Sequence, residues 1–229
     1  MNDLQNPEPR PRTSAAELAT LGERFADLWR RNLLSGAEDR AQSIWRALVA
    51  HYAEPHRHYH DSRHLAHCIG QFDLIADLLA EPDQVEIALW FHDVIIEPGR
   101  SDNEQRSADY FRNAADAVLP PEFIRGVVDL ILYTTHRTTP TDPDHRFICD
   151  IDLSSFGSPW ELFMANSLAI EAEFPGPREE YVRREVAFLE ALLRRPRIFM
   201  SDFFHDRCEA KARDNIRRFL QLLAPAPRP

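Results

Sequence analysis

The sequence of 229 residues predicts an all-α fold, and three observations lead to that prediction. Apolar residues recur three or four positions apart through most of the chain, which is the period of an amphipathic helix. Strict alternation of apolar and polar residues is nearly absent, and the chain contains only seven glycines, few for a β-rich fold. No internal repeat or linker divides the chain. We therefore expect one helical domain of about nine helices over residues 13–223.

The predicted helices can be followed in order from the N-terminus. Ser14 and Glu17 form a capping box before the first helix, and Ser35 and Glu38 repeat that spacing before the second. Pro82 suits the first turn of the fourth helix. The nine predicted segments are SAAELATLGERFADLWRRNLL, SGAEDRAQSIWRALVAHYA, RHLAHCIGQFDLIADLLA, PDQVEIALWFHDVI, NEQRSADYFRNAADAVL, PEFIRGVVDLILYTTH, SPWELFMANSLAIEAEF, REEYVRREVAFLEALLRR and EAKARDNIRRFLQLL.

The ends of the chain and its charge narrow the class of protein. Residues 1–12 and 224–229 are rich in proline and polar residues, and we expect both to be loose tails. The chain carries 27 basic and 37 acidic residues, a net charge of −10, so general nucleic-acid binding is not expected. No signal peptide or bilayer-spanning apolar run is evident, so we expect a cytoplasmic protein with no membrane partner. The three scattered cysteines are interpreted as small buried side chains in a reducing compartment.

Five of the ten histidines lie in one short stretch, EPHRHYHDSRHLAH, residues 54–67. His60 and His64 are four residues apart, so a helix that included both would carry them on one face. Further along, His92 and Asp93 lie among apolar residues, where an ionisable pair costs roughly several kcal/mol unless it is compensated. A divalent metal ion compensates such a pair directly, because it binds the imidazole nitrogen and the carboxylate oxygen together.

A third stretch, RFICDIDL, is the one segment in which residues alternate, and it is too short to form a sheet by itself. It places Asp150 and Asp152 in an apolar setting. Because the two are two positions apart, only one can face a given site, whether the segment is a strand or a helix.

The order H…HD…D over residues 57–153 resembles the HD superfamily of metal-dependent phosphohydrolases, with a weaker helical continuation to about 222. RHYHDSRH and WFHDVIIEPGRSDNEQRSA are similar to the signature of a bacterial family of predicted HD phosphohydrolases. YHDSRH is also similar to the Tyr-His-Asn-x-x-His motif of cyclic-nucleotide phosphodiesterases, although Asp61 stands where that motif has asparagine. The resemblance implies that the all-α domain is an HD-type helical bundle.

The resemblance also implies roles for individual residues. It implies one divalent ion (Mn, Mg, Fe, Co, Ni or Zn), with Asp93 able to bridge a weaker second ion. His60 would be the acid that protonates the leaving group. Asp152 is preferred to Asp150 because an apolar residue follows it, as in the superfamily. The implied metal ligands are His64, His92, Asp93 and Asp152.

Four further residues are candidates with two interpretations each. Glu104 is either a general base near the metal or an acidic residue that favours a helix N-terminus. Arg57 and Arg100 either bind a substrate phosphate or keep the surface soluble. His136 is a phosphate contact or an extra ligand, or it carries favourable charge at a helix C-terminus.

The function expected from these residues is hydrolysis of a phosphomonoester or phosphodiester in a small nucleotide-like substrate. The alternative is a non-catalytic sensor that binds a nucleotide or a metal ion on the same scaffold. A structural module would leave His92 and Asp93 without compensation. The oligomeric state stays open.

Overall fold

The structure, a computed structural model, describes residues 13–223. These residues form ten α-helices and two short 3₁₀ helices and contain no β-strand, so the predicted all-α fold is confirmed. The two segments expected to be loose tails, 1–12 and 224–229, lie outside the described residues. The α-helices are α1 (Ala15–Arg31), α2 (Ala41–Tyr52), α3 (Ser62–Asp73), α4 (Pro82–Phe91), α5 (Asn103–Ala115), α6 (Pro121–Tyr133), α7 (Pro143–Leu153), α8 (Trp160–Glu173), α9 (Arg178–Arg194) and α10 (Asp202–Leu223), and the 3₁₀ helices are Ala76–Leu78 and Ser154–Gly157.

The first capping box forms as the sequence predicts. The Glu17 N–H donates to the Ser14 hydroxyl, and a Glu17 carboxylate oxygen accepts from the Ser14 backbone N–H at 2.7 Å. Pro82 is the first residue of α4, where its missing N–H costs no helical hydrogen bond.

The second predicted capping box is wrong. Ser35 and Glu38 lie outside any helix, and α2 begins only at Ala41. Arg40 is the N-cap residue of α2 and makes no side-chain cap. Asp39, one residue earlier, accepts from the Ala41 N–H at 2.9 Å and pairs with Arg30 of α1 at 2.7 Å.

The alternating segment RFICDIDL lies within a helix, α7. Asp142 precedes the helix and accepts a hydrogen bond from the Asp144 N–H at 2.9 Å, and Pro143 follows it. These start signals, together with packing against α3, α4 and α6, outweigh the local alternation.

Helix α4 lies at the centre of the molecule. Every residue from Val85 to Phe91 is buried, and the helix contacts α1, α3, α5, α6 and α7. Aromatic rings surround its C-terminal half, with centroids 5.1–6.3 Å apart. The rings are those of Phe25, Trp29, Trp45, Trp90, Phe91 and Phe111. Because the helix ends at Phe91, the next two residues, His92 and Asp93, lie in the core.

Helices α8, α9 and α10 are the last three helices of the fold. Helix α10 packs on the 3₁₀ helix Ser154–Gly157 and on α9.

Within residues 13–223, none of the helices combines the length and the apolar composition needed to cross a bilayer.

Candidate metal centre and active site

The His-Asp pair begins at the end of α4. His92 is the residue that follows the helix, and it is 1% exposed. Its Nδ1 lies 2.9 Å from the Leu89 carbonyl oxygen. A ring nitrogen that faces a carbonyl carries the hydrogen, so Nε2 is the nitrogen whose lone pair is free to bind.

Four predicted side chains converge on one point. The Nε2 atoms of His64 and His92 lie 3.2 Å apart. Oδ2 of Asp93 lies 3.4 Å from the first nitrogen and 3.1 Å from the second. Oδ1 of Asp152 lies 3.2 Å and 3.7 Å from the same two atoms. Donors that share one ion at about 2.0–2.2 Å lie about 3–3.5 Å from one another, so this spacing fits a single divalent ion.

The ionised carboxylates of Asp93 and Asp152 also suit the binding of a cation. Burial raises the pKa of Asp93, but the protonated forms of His92 and His60 outweigh it and hold the pKa well below its usual value. A divalent ion bound at His92 Nε2 would replace that proton as the neighbouring positive charge. Burial likewise opposes ionisation of Asp152, yet hydrogen bonds from His136 and His64 lower its pKa well below the usual value. Two ionised carboxylates in a buried place attract a divalent cation.

Cys68 adds a sulfur to this cluster, which corrects its interpretation as a mere core residue. Its Sγ lies 3.6 Å from His64 Nε2. Together with His64, His92 and Asp152 it forms a set whose donor atoms all lie within 4.8 Å of one another and which could hold a metal ion. A thiolate favours softer ions such as Zn²⁺ over Mg²⁺.

The two aspartates of α7 face different partners. Asp152 points to the histidine cluster, whereas Asp150 is fully buried elsewhere. Asp150 accepts hydrogen bonds from the backbone N–H groups of Met200 and Ser201 at 2.8 and 2.7 Å and from the Ser201 hydroxyl at 2.6 Å. Burial raises the pKa of Asp150 to about 6. The structure therefore brings Asp152, and not Asp150, to the predicted site.

His60 lies near the cluster but outside the helix that carries His64. Helix α3 begins at Ser62, and Asp61 caps it by accepting from the Arg63 N–H at 2.8 Å. The expectation that His60 and His64 share a helical turn is wrong. The rings nevertheless lie close, with centroids 5.8 Å apart, because the capped turn folds back over the helix start.

The partner of His60 is Glu173, the last residue of α8. Three successive backbone N–H groups, those of residues 58–60, donate to Glu173 Oε1 at 2.7, 2.6 and 2.9 Å. The other carboxylate oxygen lies 2.5 Å from His60 Nδ1. One carboxylate thus fixes both the backbone and the ring of His60.

The Glu173 contact sets the charge of both groups. Burial favours neutral forms, but the charge of each partner outweighs it: the pKa of Glu173 falls to about 2 and the pKa of His60 is raised. The raised pKa favours the protonated form of His60, in which Nδ1–H donates to Glu173. Within residues 13–223 its Nε2 has no hydrogen-bond partner, so Nε2 is free to contact a ligand.

Arg57 is neither on the surface nor among the residues that line the cavity, unlike either interpretation offered by the sequence. Its side chain is 0% exposed and pairs with Glu54 at 3.0 Å. Its guanidinium donates to the carbonyl oxygens of His60, Asp93 and Val94 at 2.9, 2.7 and 2.8 Å. Arg57 therefore connects the segment that carries the acid to the segment that carries the His-Asp pair.

The remaining candidates line one cavity of about 440 Å³, together with His60, Asp93 and Asp152. Glu104 lies in the first turn of α5, and burial and two nearby aspartates raise its pKa. Arg100 is at the exposed rim and pairs with Asp102 at 2.6 Å.

His136 also lines this cavity, in a left-handed backbone conformation with φ of 54°. Its Nε2 lies 2.8 Å from Asp152 Oδ2, and its buried Nδ1 has no partner among the described residues. The structure thus places His136 behind a predicted ligand, where it orients the carboxylate.

Sequence reasoning missed two residues of the site. The spacing of His64 and Cys68, four apart on one helix, was a usable signal for the cysteine. Glu173 had no local signal, because it lies 113 residues from His60 in the chain and its position depends on the packing of α8.

Comparison of the chain with models of known protein families, with characterised proteins and with solved structures finds no significant match.

Proposed function

We propose that this chain is a metal-dependent phosphohydrolase of the HD type that cleaves a phosphomonoester or phosphodiester of a small nucleotide-like substrate. One observation carries the proposal: Asp93 and Asp152, which lie beside the buried His64 and His92, line the same cavity as His60. A purely structural role would not require a buried donor set beside a positioned acid.

The metal ion would be held by the two Nε2 atoms of His64 and His92 and by oxygens of Asp93 and Asp152, with Cys68 as a further donor. It would supply Lewis acidity, which polarises a phosphoryl oxygen and makes water a better nucleophile near neutral pH. Softer ions such as Zn, Fe or Co are favoured by the thiol. Asp93 could bridge to a second, weaker ion.

The chain's own side chains manage the protons. A water oxygen forms the new bond to phosphorus, and Glu104 accepts the proton that this water releases. Its raised pKa suits that role, because a stronger base accepts a proton more readily. The bond from phosphorus to the leaving oxygen breaks, and His60 Nε2 gives its proton to that oxygen while Glu173 stabilises the charged ring.

The proposal also includes the cellular compartment and the class of binding partner. The free thiols of Cys68, Cys149 and Cys208 support a reducing compartment such as the cytoplasm. The net charge of −10 supports a small phosphorylated partner over a nucleic acid.

The test combines metal analysis with a substrate screen. Purified protein should contain about one divalent ion per chain by mass spectrometry. It should also hydrolyse at least one compound in a panel of nucleotides and sugar phosphates supplied with Mn, Mg, Co, Ni, Fe or Zn. Asp152→Asn should lose the ion and the turnover. Nucleotide binding without turnover, under every metal, would favour the sensor instead.

A further inference from the structure

The cavity has a second wall, built from apolar and aromatic side chains of the last helices. Phe156 and Phe188 have ring centroids 6.4 Å apart, and Phe174 and Tyr181 have centroids 5.9 Å apart. Ile170 completes this wall. Flat rings of this kind bind the organic part of a ligand through stacking and apolar contact.

Glu185 of α9 lies in this wall, and it is the unusual residue there. It lines the cavity, is only partly exposed, and makes no hydrogen bond or ion pair with any residue of 13–223. Its neighbour Arg184 pairs with Glu180 and lies over the Phe174 ring, so that cation is already engaged. A carboxylate beside aromatic rings loses hydration, and only a donor from elsewhere can compensate that loss.

The charge on Glu185 is costly in the free protein. Burial, together with the nearby Glu171, raises the pKa of this carboxyl to about 7. Glu173, on the same cavity, has the opposite shift because it has partners. The difference marks Glu185 as a cavity carboxyl that has no partner among residues 13–223.

The charges around the cavity limit how much phosphate it accepts. Only two arginines line it, and both are engaged: Arg100 with Asp102 and Arg184 with Glu180. A di- or triphosphate would bring several negative charges toward carboxylates without free cations to balance them. One phosphoryl group at the metal centre is therefore favoured. The carboxylates on the cavity are Asp93, Glu97, Glu104, Asp152, Glu173 and Glu185.

We infer that Glu185 determines the substrate class: it accepts hydrogen bonds from a nitrogen donor of the organic part of a singly phosphorylated substrate, whose body lies against Phe156, Phe174 and Phe188. The inference rests on the proposed phosphohydrolase function. An alkylammonium group or the amino group of a nucleobase supplies the same chemistry, N–H groups aimed at a carboxylate.

The experiment compares substrates that differ only in that donor. The first pair is phosphoethanolamine and ethyl phosphate, and the second is adenosine monophosphate and the monophosphate of purine riboside, which lacks the amino group. Turnover and calorimetric affinity are measured with the metal-loaded chain. The variants are Glu185→Gln and, as a matched control, Glu190→Gln, whose side chain is exposed on the same helix.

Wild type should prefer the nitrogen-bearing member of at least one pair by roughly tenfold or more in kcat/KM, and the pair that discriminates identifies the donor. Glu185→Gln should lose most of that preference while Glu190→Gln keeps it. Thermal melting verifies that both variants are folded. If the first variant unfolds, the wild-type preference alone decides.

Three outcomes contradict the inference, and they can be distinguished. Hydrolysis of both members of each pair at equal rates overturns the role of Glu185 and leaves the phosphohydrolase standing. Neither binding nor hydrolysis of any phosphate compound overturns both. A preference that survives in Glu185→Gln assigns the discrimination to another residue.

Discussion

At the scale of single residues, Glu173 connects two parts of the chain that share no sequence pattern. Its carboxylate accepts from three backbone N–H groups and contacts the His60 ring, so the ring is fixed in direction and its protonated form is favoured. Positioned acids of this kind are efficient because orientation is fixed before the reaction begins.

His60→Ala tests the acid role directly. Turnover of an alkyl phosphate should fall by roughly 10²–10⁴-fold, since a poor leaving group needs a proton. Metal content should stay near that of wild type. The loss should shrink for a nitrophenyl ester, whose leaving group departs without a proton.

The matched control for this experiment is His58→Ala, because His58 is exposed two residues earlier and its side chain faces no site residue in the structure. It should behave like wild type. Equal losses on both esters would rule out the acid role, and loss of metal would make His60 a ligand.

The effect of Glu185→Gln on the free energy of unfolding should depend on pH. Between the ordinary pKa of 4.5 and the raised value of about 7, the folded chain binds more protons at Glu185 than the unfolded chain does. This site therefore contributes less stability as pH rises. Glutamine does not titrate, so the free energy of unfolding of the variant relative to wild type should increase from pH 4.5 to pH 8 in urea titrations of metal-free protein.

A difference between Glu185→Gln and wild type that is constant with pH would contradict the raised pKa. Glu190→Gln should show no trend, since its side chain is exposed.

Residue types and their order in the chain were enough to predict that His64, His92, Asp93 and Asp152 come together, because His92 and Asp93 are costly in an apolar setting without compensation. The roles that depend on packing were not predictable. Arg57 was expected to contact phosphate, yet the fold buries it against backbone carbonyls. No local pattern distinguishes an arginine that donates to carbonyls from one that binds a ligand.

At the scale of elements, α7 shows how one helix divides its acidic residues between two tasks. Asp152 faces the cluster, and Asp150 holds the start of α10. A helix separates residues two positions apart by about 200°, so a single helix serves two sites.

The variants Asp150→Asn and Asp152→Asn should fail in different ways. Asp150→Asn replaces one buried carboxylate oxygen with an NH2 group that cannot accept the hydrogen bonds from Ser201, and it should destabilise the fold by about 1–3 kcal/mol while it keeps the metal. Asp152→Asn should lose metal with a smaller effect on the apo fold. Urea unfolding and metal analysis of both variants make the comparison, and metal loss in Asp150→Asn alone would reverse the assignment.

Start signals determined which helices could be predicted. The capping box at Ser14 and the proline at Pro82 act locally, so both helix starts were predictable. The start of α2 was not, because its N-cap, Arg40, makes no side-chain cap, and the nearby Asp39 pairs with Arg30 on another helix. The alternation in α7 misled for a similar reason: neighbouring helices supply the apolar surroundings on several sides.

At the scale of the whole molecule, the fold places its most buried helix directly before the His92–Asp93 pair. Helix α4 is surrounded by five other helices, so the backbone at His92 has little freedom to move. The all-α class was predictable from periodicity, whereas the way the helices enclose α4 was not, since it depends on contacts between distant segments.

Metal binding should therefore stabilise the entire domain. An ion at 100 times its dissociation constant adds about 2.7 kcal/mol if it binds only the folded state. For a chain of this size that corresponds to a rise in melting temperature of roughly 5–11 °C. Calorimetry with and without a chelator measures the shift, and Asp152→Asn should show almost none. An equal shift in that variant would mean that the ion binds elsewhere.

The three N–H groups that Glu173 binds have a consequence for solvent exchange. Residues 58–60 belong to no helix, and amides of such segments ordinarily exchange their hydrogens for deuterium within moments. Here each donates to a buried carboxylate oxygen, so exchange should require that contact to open. In deuterium-exchange measurements these amides should be protected like those of α3, and Glu173→Ala should release them while amides of other helices keep their protection. Deuterium exchange would then report whether the Glu173 contact that positions His60 is formed in the free protein, with no substrate present.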